Sequence, residues 1–329
     1  MIVVRTPFRI PLGGGGTDLP SYYRQFGGEL VSVAIDKYIY ISINRPALDQ
    51  SIKLKYSISE EVDDVNKIQN EYAREALKST GITNQIEIHS MADLGSGTGL
   101  GSSGSYLVGL LKALHTIKNE SISTPDLAEE ACKIEIETLK KPVGKQDQYL
   151  AAFGGITHLK IDKAGKVTPR QLNISADKRR ELENCLLMFY TGIRRNAGDI
   201  LKHQSKSLVQ KKKDTVENMH QIKKIGIEIT QSLESGDIEK FGTLMDFHWQ
   251  AKRELSTAVS NSNIDKWYQK ARLAGAIGGK IMGAGGGGFF LFCCPGDKHK
   301  LREAMREEGL TEMFFHFDME GAKVIADFK

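Results

Sequence analysis

The alternation of apolar and polar positions in the first part of the chain predicts a β-sheet. Residues 2–10 and 30–43 (LVSVAIDKYIYISI) are rich in β-branched and aromatic residues and partly alternate. Tetraglycine 13–16 lies between them and predicts a turn. Residues 60–79 favour a helix, and the stretch QIEIHS predicts another short strand.

Helical spacing follows in the middle of the chain. In SYLVGLLKALHTI the leucines recur at intervals of three and four, which predicts a helix packed on a core; they are Leu107, Leu110, Leu111 and Leu114. A second helix is predicted from Thr124 to about Leu139. Thr124 would cap it, Pro125 suits its first position, and Asp126 places an acid in its first turn.

The remainder of the chain predicts mixed α and β structure. ITHLKID and LLMFY are typical of strands, residues 198–257 are largely helical with a break near 235–237, and the strand FFLFCC follows the helix KWYQKARLAGA. A chain of 329 residues is long enough for two cores. We expect an α/β (α+β) protein of two lobes, residues 1–175 and 176–329, with a cleft between them.

Composition excludes several classes of protein. Apolar residues make up 40% and charged residues 26%, and neither an apolar run of membrane-spanning length nor a signal-peptide pattern is present. A cytoplasmic protein without membrane partners is expected. The net charge of +4 is small, and the KKK at 211–213 favours a solvated helix face over nucleic-acid binding. The four cysteines include Cys132, Cys293 and Cys294 in apolar patterns, which indicates buried thiols.

Glycine is the unusual component, with 33 residues concentrated around 11–18, 94–105 and 282–290. In the second cluster, GLGSSG (99–104) matches the dinucleotide fingerprint G-x-G-x-x-G. That fingerprint requires a second parallel strand ending in an acid about 20 residues later. The chain there reads NESISTPDLAEE, a loop and a new helix, so a nicotinamide cofactor is disfavoured.

The same glycine cluster suits a phosphate group. It ends at a helix N-terminus, where free N–H groups and the helix dipole favour an anion. The hydroxyls of Ser102 and Ser103 could ligate Mg²⁺ or bond a phosphate oxygen. A loop that merely turns tightly is the alternative. The absence of G-x-x-x-x-G-K-[ST] excludes a Walker-type loop.

Two acids are candidates for chemistry. On a helical wheel Glu135 lies within the apolar stripe formed by Ala131 and Cys132, and a buried carboxylate is costly unless paired or bound to a cation. A structural salt bridge is the alternative for Glu135. Asp147, in PVGKQDQYLAAFGG, follows a loop and can orient or deprotonate a nucleophilic hydroxyl beside a phosphate site.

Together these features resemble the GHMP small-molecule kinases. RIPLGGGGTDLP, GTGLGSSGS and KIMGAGGGGFF are similar to the three motifs of that family and occur in its order across nearly the whole chain. Gly104 stands where alanine is more usual. The resemblance implies a two-lobed GHMP kinase fold, with a ribosomal S5 domain 2-like N-terminal lobe and a ferredoxin-like C-terminal lobe.

Within the family the chain is most similar to the sugar-1-kinases. The resemblance implies transfer of the γ-phosphoryl group of ATP, with Mg²⁺, to the anomeric hydroxyl of a heptose already phosphorylated at carbon 7, a step toward GDP-heptose and surface polysaccharide. Another sugar-1-kinase activity, on galactose, fucose or an unphosphorylated heptose, is the alternative. A further alternative is a non-catalytic module that binds a nucleotide or a nucleic acid.

Roles follow from the motif positions. The resemblance implies a catalytic pair, Asp147 and Arg9, and Mg²⁺ ligands Ser103 and Glu135. The implied ATP-binding residues are Gly97, Gly99, Leu100, Gly101, Ser102, Ser103 and Gly104. The implied substrate-binding residues are Gly15, Gly16, Thr17, Asp18, Gly285 and Gly286. Gly16 replaces a histidine that is usual in the family.

The phosphate on the sugar requires cations of its own. Arg194 and Arg195, in YTGIRRNAG, are the candidates because a guanidinium group can donate two parallel hydrogen bonds to a phosphate. A pair of surface arginines is the alternative explanation.

Overall fold

The computed structural model describes residues 1–193, 208, 213–256 and 258–328. Its secondary structure forms two sheets with helices packed against them. The helices are α1 (Pro20–Phe26), α2 (Glu71–Ser79), α3 (Ser102–Ile117), α4 (Thr124–Cys132), α5 (Gln146–Phe153), α6 (Ala176–Cys185), α7 (Lys213–Ser235), α8 (Ile238–Arg253), α9 (Ser262–Leu273) and α10 (Lys298–Glu307).

The first sheet has eight strands within the described part of the chain. They are β1 (Ile2–Gly13), β2 (Gly28–Asn44), β3 (Ile52–Lys55), β4 (Ser59–Val62), β5 (Ile86–Ala92), β6 (Ile156–Ile161), β7 (Val167–Gln171) and β12 (Lys323–Asp327). The order is β12-β1-β2-β5-β3-β4, and β6 pairs with both β2 and β7. Positions 6–13 of β1 are all buried because helices α3, α5 and α7 pack against this strand.

The second sheet is antiparallel and has the order β11-β8-β10-β9. Its strands are β8 (Leu186–Tyr190), β9 (Gly278–Ile281), β10 (Phe289–Cys293) and β11 (Thr311–Glu312). In chain order the spatial sequence is fourth, first, third, second, which is the ferredoxin-like arrangement. Helices α8 and α9 pack on β9, so they cover this sheet and form its core with α10.

Apolar contacts join the two sheets. The large core cluster includes Phe8 and Leu110 beside the first sheet together with Met188 and Leu291 of the second. The last strand, β12, returns to pair with β1. The two lobes are therefore held against each other along one side, and the predicted boundary near residue 175 falls in the connection between β7 and α6.

The mixed α/β (α+β) fold class expected from the sequence is confirmed, but several local predictions were wrong. A single helix over 60–79 does not form: Ser59–Val62 is a strand, Val65–Lys67 is a 3-10 turn, and only Glu71–Ser79 is α-helical. Glu60 explains the difference, because its buried carboxylate accepts from the backbone N–H groups of Gln69 and Asn70. These bonds close a loop where the pattern suggested helix.

The helix expected from Thr124 to about Leu139 begins at Thr124 as predicted, but its cap and the type of its last turns differ from the expectation. Ser123, not Thr124, is the cap, with its Oγ accepting from the N–H of Asp126 at 3.2 Å. The α-helix ends at Cys132, and Lys133–Thr138 continues as a π-helix. Such wider turns occur frequently at functional sites.

The cysteine prediction is confirmed: Cys132, Cys185, Cys293 and Cys294 are free and buried. In the described part of the chain, no helix has the length and apolar character that crossing a membrane requires.

Candidate active site

The second glycine cluster forms a loop that leads into the N-terminus of α3. Gly97, Gly99 and Gly101 have φ values of +78°, +83° and +85°, a region that side chains other than glycine rarely adopt. Gly101 caps the helix without a side-chain hydrogen bond, and Ser102 is the first helical residue. The first N–H groups of α3 thus remain available for an anion at the positive end of the helix dipole.

Asp147 lies in the first turn of α5 and is held by Arg9 from β1. The Nε and Nη2 atoms of Arg9 lie 2.8 Å and 2.6 Å from Oδ1 of Asp147. Nη1 of Arg9 donates to the carbonyl oxygen of Gly99 at 2.7 Å. The arginine is buried, whereas the Asp147 side chain is 22% exposed. One guanidinium group therefore fixes both the aspartate and the glycine loop, and leaves the carboxylate accessible from the cleft.

The first glycine motif lies on the opposite side of Asp147. Asp18 accepts from the N–H of Gly16 at 3.1 Å and from the N–H of Gln146 at 3.0 Å, so its carboxylate ties the tetraglycine turn to the start of α5. Burial raises the pKa of Asp18, the Asp147 carboxylate adds to this rise, and the backbone N–H of Gln146 opposes it. Gly144 is required here, since a Cβ would lie 1.9 Å from Oδ2 of Asp18.

Glu135 lies on the π-helix and is only 1% exposed. Its carboxylate is hydrogen-bonded to Ser103, accepts from Tyr72 Oη at 3.3 Å, and accepts from Gln148 Nε2 at 2.6 Å. Burial raises the pKa of Glu135 to about 7, because these bonds do not compensate for lost solvent in the absence of a cation. The structural salt bridge considered for Glu135 is not found among the described residues.

A hydroxyl and a carboxylate suit Mg²⁺, which binds few protein oxygens when substrate phosphates complete its coordination. Ser103 at the start of α3 and Glu135 supply those two groups beside the glycine loop. Within the described ranges, no cluster of three or more His, Cys, Asp and Glu side chains can hold a metal ion. The donor set therefore fits Mg²⁺ shared with a nucleotide and does not fit a metal held by protein alone.

The third glycine motif packs directly on the second. A Cβ on Gly283 would lie 2.8 Å from the Cα of Gly99, and one on Gly288 would lie 2.4 Å from the carbonyl oxygen of Thr98. Nζ of Lys252 donates to the carbonyl oxygen of Gly283. The second lobe thus supports the glycine loop through backbone contacts that side chains would block.

Most of the predicted site residues line one cleft. These are Arg9, Gly15, Gly16, Asp18, Gly97, Gly99, Gly101, Ser102, Ser103 and Asp147. Leu100 and Gly104 lie behind the loop: Leu100 is buried and accepts from the N–H of Arg9, and Gly104 packs on Asp147.

Other predicted substrate residues are placed differently. Thr17 is fully buried, and its Oγ1 lies 2.8 Å from Gly14 O and 2.9 Å from Glu29 O, so it joins backbone segments. Gly285 and Gly286 pack against Val259, while Gly283 and Ala284 face the cleft in their place. Arg194 and Arg195 lie outside the described residues.

Three basic side chains of the second lobe also line the cleft, and the sequence motifs did not reveal them. They are His248 and Lys252 of α8 and Lys280 of β9. Burial and the nearby Arg9 lower the pKa of Lys252 to about 7. Burial, with Lys252 and Arg9, lowers the pKa of Lys280 well below its usual range. The only signals in the sequence were that Lys280 is the first residue of the stretch KIMGAGGGGFF and that His248 and Lys252 are separated by one helical turn.

Comparison with known proteins agrees with this arrangement. Residues 65–155 match the model of the GHMP kinases N-terminal domain, and residues 229–310 match that of the GHMP kinases C-terminal domain. A D-glycero-alpha-D-manno-heptose 7-phosphate kinase of Campylobacter jejuni is 31% identical, with 98% of both chains covered. A galactokinase of Pyrococcus furiosus is 25% identical, with 94% of both chains covered.

Solved structures give the same fold. A D-glycero-D-manno-heptose 1-phosphate kinase of Bacteroides thetaiotaomicron superposes with a TM-score of 0.82 over 100% of both chains at 22% identity. The galactokinase of Lactococcus lactis complexed with galactose gives 0.78 over 98% of this chain and 94% of its own, at 17% identity. The chain belongs to the GHMP kinases, a family of ATP-dependent phosphotransferases.

Proposed function

We propose that this protein transfers the γ-phosphoryl group of ATP to the anomeric hydroxyl of D-glycero-α-D-manno-heptose 7-phosphate. The observation that carries the proposal is the position of Asp147, which Arg9 holds between the N-terminus of α3 and the tetraglycine turn. The sugar is taken from the Campylobacter relative, which is similar over 98% of both chains. Supply of a heptose for surface polysaccharide follows from that substrate.

The glycine loop binds the triphosphate in this proposal. The free N–H groups at the start of α3 donate to phosphate oxygens, and glycine lets the backbone approach them closely. Ser103 and Glu135 would hold Mg²⁺, which would supply positive charge to offset that of the triphosphate. Glu135 is fixed for this role by Tyr72 and Gln148, which hydrogen-bond to its two oxygens.

Asp147 acts on the acceptor. Its carboxylate accepts a hydrogen bond from the anomeric O–H and points that oxygen at the γ-phosphorus atom. The new O–P bond forms as the bond between the γ-phosphorus and the β–γ bridging oxygen breaks, ADP leaves, and the hydroxyl proton passes to Asp147. Arg9 keeps the carboxylate in place through the two contacts to Oδ1.

The tetraglycine turn and Asp18 form the sugar side of the site. Gly15 and Gly16 line the cleft without side chains, so the backbone itself contacts the acceptor. Each carboxylate oxygen of Asp18 already accepts one backbone N–H and keeps a lone pair for a sugar hydroxyl. Asp18 thus orients the acceptor and shapes the turn with the same group.

A panel of acceptors tests the proposal. The purified protein is assayed with ATP and Mg²⁺ on heptose 7-phosphate, unphosphorylated heptose, galactose and fucose, and phosphorus NMR identifies the anomer formed. We expect kcat/KM for heptose 7-phosphate to exceed that for the other sugars by a factor on the order of 10². A higher kcat/KM for galactose or fucose would instead assign the protein to another sugar-1-kinase activity.

A further inference from the structure

His248 is a buried polar side chain whose bonding is incomplete. It is 2% exposed and lines the cleft, yet neither of its ring nitrogens has a hydrogen-bond partner among the described residues. Burial, with Lys280 and Lys252, holds the pKa of the imidazole well below its ordinary value, so the ring is neutral and carries one N–H donor. A buried N–H donor without a hydrogen-bond acceptor lowers the stability of the folded protein, which indicates that a ligand supplies the missing acceptor.

The two lysines beside it also have unused donors. Nζ of Lys280, 1% exposed, donates to the carbonyl oxygen of Leu12 at 2.7 Å. Nζ of Lys252 contacts the carbonyl oxygens of Gly283 and Ile281. A neighbouring anion favours the ammonium form of both lysines, which has three N–H donors, so each lysine then keeps at least one donor for that ligand. Neither lysine forms an ion pair with any acid in the described part of the chain.

The side of the cleft formed by His248, Lys252 and Lys280 carries positive charge that no acid compensates among the described residues. The carboxylate of Asp147 is engaged by Arg9, and that of Asp18 by backbone N–H groups. Burial, with the nearby charges of Lys252 and Arg9, lowers the pKa of Lys280 well below its usual range, and no acid in the described part of the chain pairs with either lysine. An anionic ligand that removes this repulsion, and that can accept several hydrogen bonds at once, is chemically a phosphate.

The position of the cluster distinguishes this phosphate from those of ATP. The triphosphate has its own site at the start of α3 with Ser103 and Glu135. Lys280, by contrast, bonds to Leu12, the residue directly before the tetraglycine turn that lines the sugar side of the cleft. Through Lys280 the cluster contacts the sugar side of the cleft, and through Lys252 it contacts Gly283, which packs on the glycine loop.

We propose that His248, Lys252 and Lys280 bind the phosphate that the acceptor sugar already carries and thereby select phosphorylated over unphosphorylated sugars. The inference rests on the proposed function, since it requires a sugar phosphate as acceptor. It assigns this role to residues of α8 and β9, in contrast to the sequence-based assignment to Arg194 and Arg195.

The test compares two acceptors in each variant. Lys252→Met and Lys280→Met keep side-chain length and remove the charge, and His248→Phe keeps the ring and removes its nitrogens. We expect the ratio of kcat/KM for heptose 7-phosphate to kcat/KM for the unphosphorylated heptose to fall by about tenfold or more in each lysine variant; any loss that both acceptors share, as when Lys252 no longer holds Gly283 beside the glycine loop, leaves this ratio unchanged. Calorimetric titration with heptose 7-phosphate without ATP should show the same loss of affinity.

Lys223→Met is the matched control. Lys223 also donates to two carbonyl oxygens, those of Phe26 and Gly27, but it lies outside the cleft. This variant should leave the ratio of the two kcat/KM values unchanged. If one of the lysine variants is too unstable to purify, His248→Phe and the other lysine variant decide the question.

An equal loss of kcat/KM for both acceptors in the variants would contradict the proposed sugar-phosphate site, as would weaker ATP binding with unchanged sugar binding. Either result would leave the proposed function intact. If the unmodified protein does not use heptose 7-phosphate, the proposed function fails first and this inference fails with it. The two failures are thus distinguished by whether the unmodified protein or only the variants depart from expectation.

Discussion

Arg9 contacts Asp147 through one carboxylate oxygen only: Nε and Nη2 lie 2.8 Å and 2.6 Å from Oδ1. The other oxygen, Oδ2, lies against Gly101, 3.2 Å from where a Cβ on that glycine would be. The pair therefore fixes a carboxylate whose side chain is 22% exposed next to the start of α3. In the proposed function, Oδ1 would hold the side chain in position through Arg9, and Oδ2, which Arg9 does not contact, would accept from the acceptor hydroxyl.

Asp147→Asn should lower kcat by a factor of about 10² to 10⁴, because an amide cannot receive the proton and offers a donor where an acceptor is required. ATP affinity should stay near its original value, since the phosphate loop and Glu135 are unchanged. Steady-state rates and a separate measurement of nucleotide binding check both parts. Asp177→Asn, on the exposed face of α6, is the control and should match the unmodified protein. Retention of most of the activity in Asp147→Asn would contradict the assigned role.

Glu135→Gln should raise the Mg²⁺ concentration needed for half-maximal activity by about tenfold or more, because a neutral amide is a much weaker ligand than a carboxylate. Its effect on kcat at saturating Mg²⁺ should be smaller. Rates measured over a range of Mg²⁺ concentrations at fixed ATP separate the two effects. An unchanged Mg²⁺ requirement would mean that Glu135 serves only to hold Tyr72 and Gln148.

Glu135 also predicts a pH dependence of stability in the absence of metal. Its pKa is raised from 4.5 to about 7 in the folded protein, so the folded state binds more protons than the unfolded state between these values. Stability should therefore fall as pH rises from about 4.5 to 7, by a contribution on the order of 3 kcal/mol from this group. Glu135→Gln should remove this part of the slope, which urea titrations at several pH values with a chelator can measure. If the free energy of unfolding depends on pH equally in both proteins, the pKa of Glu135 is not raised by burial.

Most residues of the candidate site were predictable from the sequence because each part of the site leaves a local pattern in it. Glycines mark the loop at 94–105, and the helical wheel marks Glu135 as an acid on an apolar face. Asp147 alone predicted nothing specific, and it became a candidate catalytic residue only in combination with the glycine loop and Glu135. These marks lie within one element or one turn, so the order of residues alone reveals them.

No comparable local pattern in the sequence predicts the cluster of His248, Lys252 and Lys280. His248 and Lys252 share a face of α8, but Lys280 comes from β9, and only the packing of α8 on β9 brings them together. Likewise, the loop at Glu60 is closed by hydrogen bonds to Gln69 and Asn70 that no helical or strand periodicity encodes. Both the basic cluster and the loop at Glu60 therefore depend on contacts between distant parts of the chain, which local sequence patterns do not predict.

Gly104→Ala should impair catalysis through Asp147. The new Cβ would lie 2.6 Å from the Cβ of Asp147 and 3.0 Å from its carbonyl carbon, so α5 must shift away from α3. Overpacking of this kind costs about 1–3 kcal/mol, and displacing a catalytic group by about 1 Å can lower the rate by about 10². Thermal unfolding and kcat measure the two effects. Gly296→Ala, where nothing lies within 4 Å, should change neither.

Gly283→Ala tests whether the second lobe supports the phosphate loop. Gly283 has φ +63°, and a Cβ there would lie 2.8 Å from the Cα of Gly99 and 2.9 Å from its carbonyl oxygen, the same oxygen that accepts from Arg9. Because backbone cannot yield as a flexible side chain can, the loop must move and its N–H groups lose their alignment toward phosphate. ATP affinity should fall by about tenfold or more. Gly309→Ala has a similar φ of +77° with open space around it, so it reproduces the backbone strain without the contact. If both variants lose equal stability and neither loses nucleotide affinity, then the contact between the two glycine motifs does not position the loop.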